Sequence, residues 1–128
     1  MIIKSNPENL RLVEKFVDEI SEELGLSDEV YGNILIATLE AANNAIVHGN
    51  KLREDLVVKI VMDQNEEGIS VSIKDLGNGF NPNLVPDPTS PDNLEMENGR
   101  GVFLMNKLTD SIEFLENGTL VKLNFNTN

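Results

Sequence analysis

The spacing of apolar residues changes once along the chain, from helical spacing in the first part to strand alternation in the second. Apolar residues recur every three or four positions over 10–24 and over 30–47, and Gly25 and Gly49 follow these two runs. This pattern predicts two helices, the second of them long. After position 55 the apolar residues are β-branched or alternate with polar ones, which predicts strands.

Turn residues divide the second part of the chain into strands. We predict two hairpin-linked strand pairs, 56–62 with 69–74 and 111–116 with 120–125, the second joined around Asn117-Gly118. A short helix is predicted over 102–108, and an edge strand at Ile2 and Ile3. These elements predict an α+β fold, a two-layer α/β sandwich with a mixed, mostly antiparallel sheet and helices on one face. The polar residues expected on the solvated sheet face are Lys59, Ser70, Ser72 and Lys122.

Composition restricts the function classes that remain. A chain of 128 residues that is 40% hydrophobic and 25% charged predicts one domain over 1–128. The absence of cysteine excludes disulfides, thiolate zinc sites and cysteine nucleophiles. A net charge of -12 disfavours nucleic acid and anionic membrane surfaces as partners. No apolar run approaches the roughly 20 residues of a membrane span, so we expect a cytoplasmic protein.

The segment 77–99 has no periodicity and contains prolines at 82, 86, 88 and 91, which disfavour a long helix. A loop of this length in a compact domain is commonly a lid or binding loop, or is disordered.

Three polar residues follow one another at four-residue steps on the second predicted helix. Glu40, Asn44 and His48 therefore lie along one helix face, among small alanines that leave room for a bulky ligand. The alternative is a solvated face on which His48 ends the helix and interacts with its dipole.

A second candidate site follows the strand 69–74. A carboxylate at a strand end, here Asp75, can accept a hydrogen bond from an exocyclic amine such as that of adenine. Gly77 and Gly79 allow the backbone to turn close to a flat ring. The alternative is an ordinary turn.

The third candidate is Gly99-Arg100-Gly101 before the short helix. Backbone N–H groups of a glycine turn at a helix start can bind phosphate, and the alternative is a flexible helix entrance. No Lys or Arg lies between Asp75 and Gly99, so a bound triphosphate would need Arg100, backbone N–H groups and Mg²⁺. The Asn44 carbonyl oxygen suits that metal.

Together these segments resemble the Bergerat-fold (GHKL) ATPases. Residues 40–49, Glu-Ala-Ala-Asn-Asn-Ala-Ile-Val-His-Gly, resemble their N-box, and residues 75–80 and 99–105 resemble their two glycine boxes. Gly118-Thr119 is similar to their late Gly-Thr element. Asn-Ala-Ile-Val-His-Gly together with Gly-Arg-Gly-Val-Phe-Leu-Met is most similar to the anti-sigma-factor serine kinases of bacteria.

The resemblance implies a role for each matching residue. Glu40 would be the general base, Asn44 the Mg²⁺ ligand and Asp75 the acid that binds adenine. Thr119 would help to hold the adenine, and residues 81–98 would form the ATP lid. The hinges and phosphate-facing turns would be Gly77, Gly79, Gly99 and Gly101. His48 is assigned no catalytic role.

The resemblance also implies an activity and partners. The chain would transfer the γ-phosphate of ATP to a serine of an anti-anti-sigma (STAS) protein and would sequester a sigma factor, as a homodimer. Arg11 falls where relatives contact partners, although a solvated charge is an equal alternative. Two other functions stay open: a partner-sequestering module that binds ATP without catalysis, and a histidine-kinase catalytic domain, for which we find no preceding dimerisation segment with a phospho-accepting histidine.

Overall fold

The computed structural model describes residues 1–77 and 104–127. Its helices are α1 (Leu10–Leu24) and α2 (Asp28–Asn44). Its strands are β1 (Ile2–Lys4), β2 (Val57–Gln64), β3 (Gly68–Lys74), β4 (Ser111–Leu115) and β5 (Leu120–Asn126). Residues 104–108 are helical, in agreement with the predicted short helix, whose predicted first residues lie outside the described ranges.

Local sequence explains where the helices begin and end. The Asn6 side chain caps a single 3₁₀ turn, Pro7–Asn9, that leads into α1, and Gly25 ends α1 in the left-handed conformation with φ 65°. Ser27 caps α2 by accepting a hydrogen bond from the Val30 N–H at 3.2 Å. The two predicted helices are confirmed.

The strands form one sheet in the order β1-β2-β3-β5-β4. The prediction allowed a mixed sheet, but every pair between the described strands is antiparallel. β2 and β3 form the predicted hairpin, and β1 pairs with β2 at one edge, as predicted for the first strand.

The core lies between the sheet and the helices. Alternate residues of each central strand point toward α1 and α2, so the strand alternation decides which side chains are buried. Fully buried apolar side chains include Val13, Val17, Ile34, Ile46, Val58, Ile60, Val71 and Leu123. Burial of each side chain contributes roughly 1.5–3 kcal/mol to stability relative to exposure. Because these side chains come from both the helices and the strands, the helices cover one face of the sheet, as expected.

The opposite face of the sheet differs from the prediction at one residue. Lys59 is exposed and Ser72 and Lys122 are half-buried, but Ser70 is only 5% exposed. Ser70 lies in the central strand between Asp63 and Asn124 on the neighbouring strands. Its short side chain is therefore covered by longer neighbours, which the alternation of a single strand does not reveal.

None of the helices in residues 1–77 and 104–127 is both long enough and apolar enough to span a membrane.

Candidate functional site

An open cavity lies between the C-terminal end of α2 and the sheet. It encloses about 540 Å³ of empty space, a volume that includes its opening to solvent. Its walls come from the end of α2, the end of β3, the helix 104–108 and the β4–β5 hairpin; they are Ala41, Asn44, Ala45, His48, Gly49, Ile73, Asp75, Met105, Phe114, Gly118 and Val121. Since most of these side chains are apolar and a few are polar, the cavity has the character of a small-molecule site.

A π-helical turn, Ala45–Gly49, continues α2 into the cavity wall. The Asn50 N–H donates to the Ala45 carbonyl oxygen at 2.8 Å, five residues back, which widens this turn relative to an α-helix. The predicted helix thus reaches Gly49 but changes its geometry after Asn44. This turn carries His48 to the cavity wall, in agreement with the predicted ligand-facing line for Asn44 and His48 but not for Glu40.

Asp75 lies at the end of β3, as predicted, and is only 6% exposed. Its backbone N–H donates to the Thr119 carbonyl oxygen at 2.9 Å, and its Oδ1 accepts from the Gly77 N–H at 2.8 Å. Burial raises the pKa of the Asp75 carboxyl above its ordinary value of 3.8, while the Gly77 N–H and the Lys74 ammonium oppose this rise. Asp75 is therefore a buried acceptor on the cavity wall, directed by the local backbone.

Two glycines allow the α2 end and the β3 end to approach each other closely. A Cβ at Gly49 would lie 2.5 Å from the Asp75 carboxyl carbon. A Cβ at Gly77 would lie 1.8 Å from the Gly49 carbonyl oxygen. Gly77 is thus required for close backbone packing, in addition to the hinge role that the resemblance implies.

We expect Gly77→Ala to destabilise the fold by about 3 kcal/mol, because the new methyl group meets rigid backbone and must displace it. Gly32→Ala is the matched control, since a Cβ there meets nothing within 4 Å inside α2; it should stabilise by about 0.5–1 kcal/mol. Urea unfolding of both variants measures the difference. Equal stability of the two variants would contradict the close packing.

Asn50 is a residue of the site region that sequence reasoning missed. It is only 1% exposed. Its Nδ2 donates to Ser5 Oγ at 2.8 Å and to the Val57 carbonyl oxygen at 3.1 Å, and its Oδ1 accepts from the Leu76 N–H at 2.8 Å. Asn50 therefore ties the loop after Asp75 to the start of the sheet. No local motif predicts the contacts with Ser5 and Leu76, because they join segments far apart in sequence.

The Asn44 side chain fits the predicted metal ligand. Its Oδ1 is buried and has no hydrogen-bond partner within the described part of the chain. A buried oxygen without a partner is costly, and an amide oxygen is a ligand that Mg²⁺ accepts. Among residues 1–77 and 104–127, no three carboxylate or imidazole groups come together as a metal site. Of the residues that the structure describes, Asn44 is thus the one that we assign to Mg²⁺, together with oxygens of the bound nucleotide.

The other predicted site residues divide into three groups. Glu40 is half-buried on α2, one turn before Asn44, and is not among the residues that line the cavity. Thr119 is buried and follows Gly118, which lines the cavity. Gly79, Gly99, Arg100, Gly101 and the predicted lid 81–98 lie outside the described residues. The structure thus brings Asn44 and Asp75 to one cavity, and the roles of all these residues stay predictions.

The fold and the cavity agree with a known class of protein. Residues 3–125 match the family described as histidine kinase-like ATPase domain. The chain belongs to this family, which confirms the resemblance drawn from the N-box and the glycine boxes.

Two curated proteins show the subgroup to which the chain is similar. An anti-sigma F factor of Clostridium beijerinckii is 34% identical over 107 residues, which cover 77% of this chain and 73% of that protein. The serine-protein kinase RsbW of Oceanobacillus iheyensis is 25% identical over 119 residues, which cover 88% of this chain and 75% of that protein.

Proposed function

We propose that the chain is an ATP-dependent protein-serine kinase and anti-sigma regulator. It would phosphorylate a serine of an anti-anti-sigma (STAS) protein and sequester a sigma factor in the cytoplasm. The observation that carries the proposal is the presence on one cavity of a buried carboxylate, Asp75, and a buried amide oxygen, Asn44 Oδ1, that has no partner among the described residues. The names of the two relatives support the same function.

The polar groups on the cavity wall suit the two ends of ATP. Asp75 would accept a hydrogen bond from the adenine amine, which selects adenine over guanine. Asn44 would hold Mg²⁺, which supplies positive charge to the phosphates when bound. Such a charge is needed, because no Lys or Arg lines the cavity in the described part of the chain.

Glu40 would take the proton in the transfer step. The serine oxygen forms a bond to the γ-phosphorus, the bond from that phosphorus to the β–γ bridging oxygen breaks, and the serine proton passes to the Glu40 carboxylate. Phosphoryl transfer depends mainly on positioning and electrostatic stabilisation. We therefore assign the role of base to Glu40, which lies one helical turn from Asn44.

We expect Asn44→Ala to separate stability from metal-dependent binding. Removing a buried oxygen that has no partner in residues 1–77 and 104–127 should leave the free energy of unfolding unchanged or raise it by about 1 kcal/mol. The same change should abolish the gain in ATP affinity that Mg²⁺ produces in the unmodified protein. Urea unfolding and calorimetric ATP titrations with and without Mg²⁺ measure the two effects. A destabilised variant with a full Mg²⁺ response would contradict the role of Asn44.

The proposed activity is tested with ATP labelled at the γ-phosphate and the STAS protein encoded in the same genome. We expect label on one serine of that protein and no label after this serine is replaced by alanine. Co-purification of a sigma factor with the chain tests the second half of the proposal. If no residue of the STAS protein becomes labelled, the proposed kinase function is wrong.

A module that sequesters its partner and binds ATP without catalysis is the second candidate. The absence of lysine and arginine from the described cavity wall favours it, because transition-state charge then has less support. A co-purified sigma factor without STAS phosphorylation would identify this function.

The homodimer implied by the resemblance is part of the proposal as well, and sedimentation at micromolar concentration tests it.

A further inference from the structure

Lys74 connects two residues of the β4–β5 turn that are far from it in sequence. It is the last residue of β3, and its Nζ donates to Thr119 Oγ1 at 2.7 Å. The same ammonium pairs with Glu116 Oε2 at 2.7 Å. Thr119 Oγ1 in turn donates to the Glu116 carbonyl oxygen at 2.7 Å. These three residues therefore form one closed network of polar contacts.

The network closes a turn whose backbone is unfavourable for ordinary side chains. Glu116, Asn117 and Gly118 have φ values of 51°, 60° and 86°, all in the left-handed region. Only glycine adopts that region without a steric penalty. The contacts of Lys74 and Thr119 with Glu116 hold the turn in this conformation.

This turn forms part of the cavity wall next to Asp75. Gly118 lines the cavity. The next residue, Thr119, accepts a hydrogen bond from the Asp75 backbone N–H at 2.9 Å. A displacement of the turn would therefore move both the wall and the backbone that directs the Asp75 carboxylate.

We propose that Lys74 is a positioning residue for nucleotide binding, which holds the turn 116–118 against Asp75 and so fixes the adenine end of the cavity. The inference rests on the proposed ATP function and adds a residue to it. Lys74 acts through Glu116 and Thr119 and is not one of the cavity-lining residues. Its effect is on binding of the base, while the phosphate end at Asn44 keeps its geometry.

We expect Lys74→Met to weaken the binding of ADP and ATP by about twofold to fivefold, the range of a partly exposed charged contact. The preference for ATP over GTP should fall by a similar factor, while kcat for STAS phosphorylation at saturating ATP stays within about twofold. Calorimetry gives the affinities, and the labelled-ATP assay gives KM and kcat separately. A purely structural role would lower the melting temperature without changing base preference.

Lys59→Met is the matched control, because Lys59 lies directly opposite Lys74 on β2, is exposed, and has no ion pair within the described residues. It should bind ATP as the unmodified protein does. Lys74→Arg should restore most of the affinity, since it keeps a cation with donors at this position. Glu116→Gln removes the charge that pairs with Lys74 but keeps an oxygen acceptor, so it should give a smaller loss of base preference in the same direction. It provides the test if Lys74→Met does not fold.

The outcomes separate this inference from the function on which it rests. If the unmodified protein does not bind ATP, the proposed function is wrong. If it binds ATP and both Lys74→Met and Glu116→Gln keep its affinity and base preference, the positioning role is wrong. Equal losses in Lys59→Met and Lys74→Met would also contradict it, because the effect would then be one of general surface charge.

Discussion

Glu40→Gln should bind Mg²⁺ and ATP as tightly as the unmodified protein does and transfer phosphate to a STAS serine at least about 100-fold more slowly. The amide has nearly the shape of the carboxylate but cannot accept the serine proton, and general bases typically contribute 10²–10⁴-fold. Glu40 is half-buried on α2 one turn before Asn44, so the change leaves the residues that line the cavity in place. Calorimetry and single-turnover transfer of labelled phosphate measure the two quantities.

Glu29→Gln is the control for this experiment. It makes the same chemical change at an exposed position in the first turn of the same helix, far from the cavity wall. We expect unaltered affinity and transfer rate. Equal transfer rates in Glu40→Gln and the unmodified protein would exclude Glu40 as the base, and a loss of ATP affinity would instead place it in nucleotide binding.

Asp75→Asn should weaken ATP binding by about 10-fold to 100-fold, the range for a hydrogen bond to a charged acceptor. The asparagine amide can still accept from the Gly77 N–H, so the loop geometry is preserved. The loss should be larger for ATP than for GTP, because the variant loses the charged acceptor for the adenine amine, and guanine has no amine at that position. Asp63→Asn, an exposed aspartate on β2, is the matched control and should change neither affinity.

The pH dependence of the same pair of proteins gives a second measurement. Burial raises the pKa of Asp75 above 3.8, so the carboxylate takes up its proton earlier than an exposed aspartate as the pH falls. ATP affinity of the unmodified protein should therefore decline relative to Asp75→Asn between neutral pH and 3.8. Lowering the pH has the opposite effect on the free energy of unfolding, which should rise. The buried charge destabilises the fold at neutral pH, and this penalty disappears as the pH falls through the raised pKa. A constant affinity ratio over this range would show that Asp75 does not bind the base.

The sequence predicted the fold because each element follows a local rule. The spacing of apolar residues predicted α1 and α2, with Gly25 as a terminator, and strand alternation predicted β2 and β3. The antiparallel β4–β5 pair followed from Asn117-Gly118. Its turn was less predictable, because Glu116 joins Asn117 in the left-handed region, which few non-glycine residues adopt.

The candidate site was predictable only where its residues belong to recognisable motifs. Asn44 and Asp75 were found in this way, and the structure places both on one cavity. The contacts of Asn50 with Ser5 and Leu76, and those of Lys74 with Thr119, could not be found. They join residues 26 to 45 positions apart, and neither periodicity nor turn chemistry reports such long-range hydrogen bonds. The π-helical turn that carries His48 to the cavity was not predicted either, because the spacing of its apolar residues is the same as that of an ordinary helix end.

The most direct measurement is a calorimetric titration of the full chain with ATP and Mg²⁺, repeated with GTP. One ATP should bind per chain, and GTP should bind more weakly. In NMR spectra of the same samples, ATP should change the chemical shifts of Asn44 and Asp75. No heat with ATP, or ATP binding that leaves both residues unperturbed, would contradict an adenine-nucleotide site in this cavity.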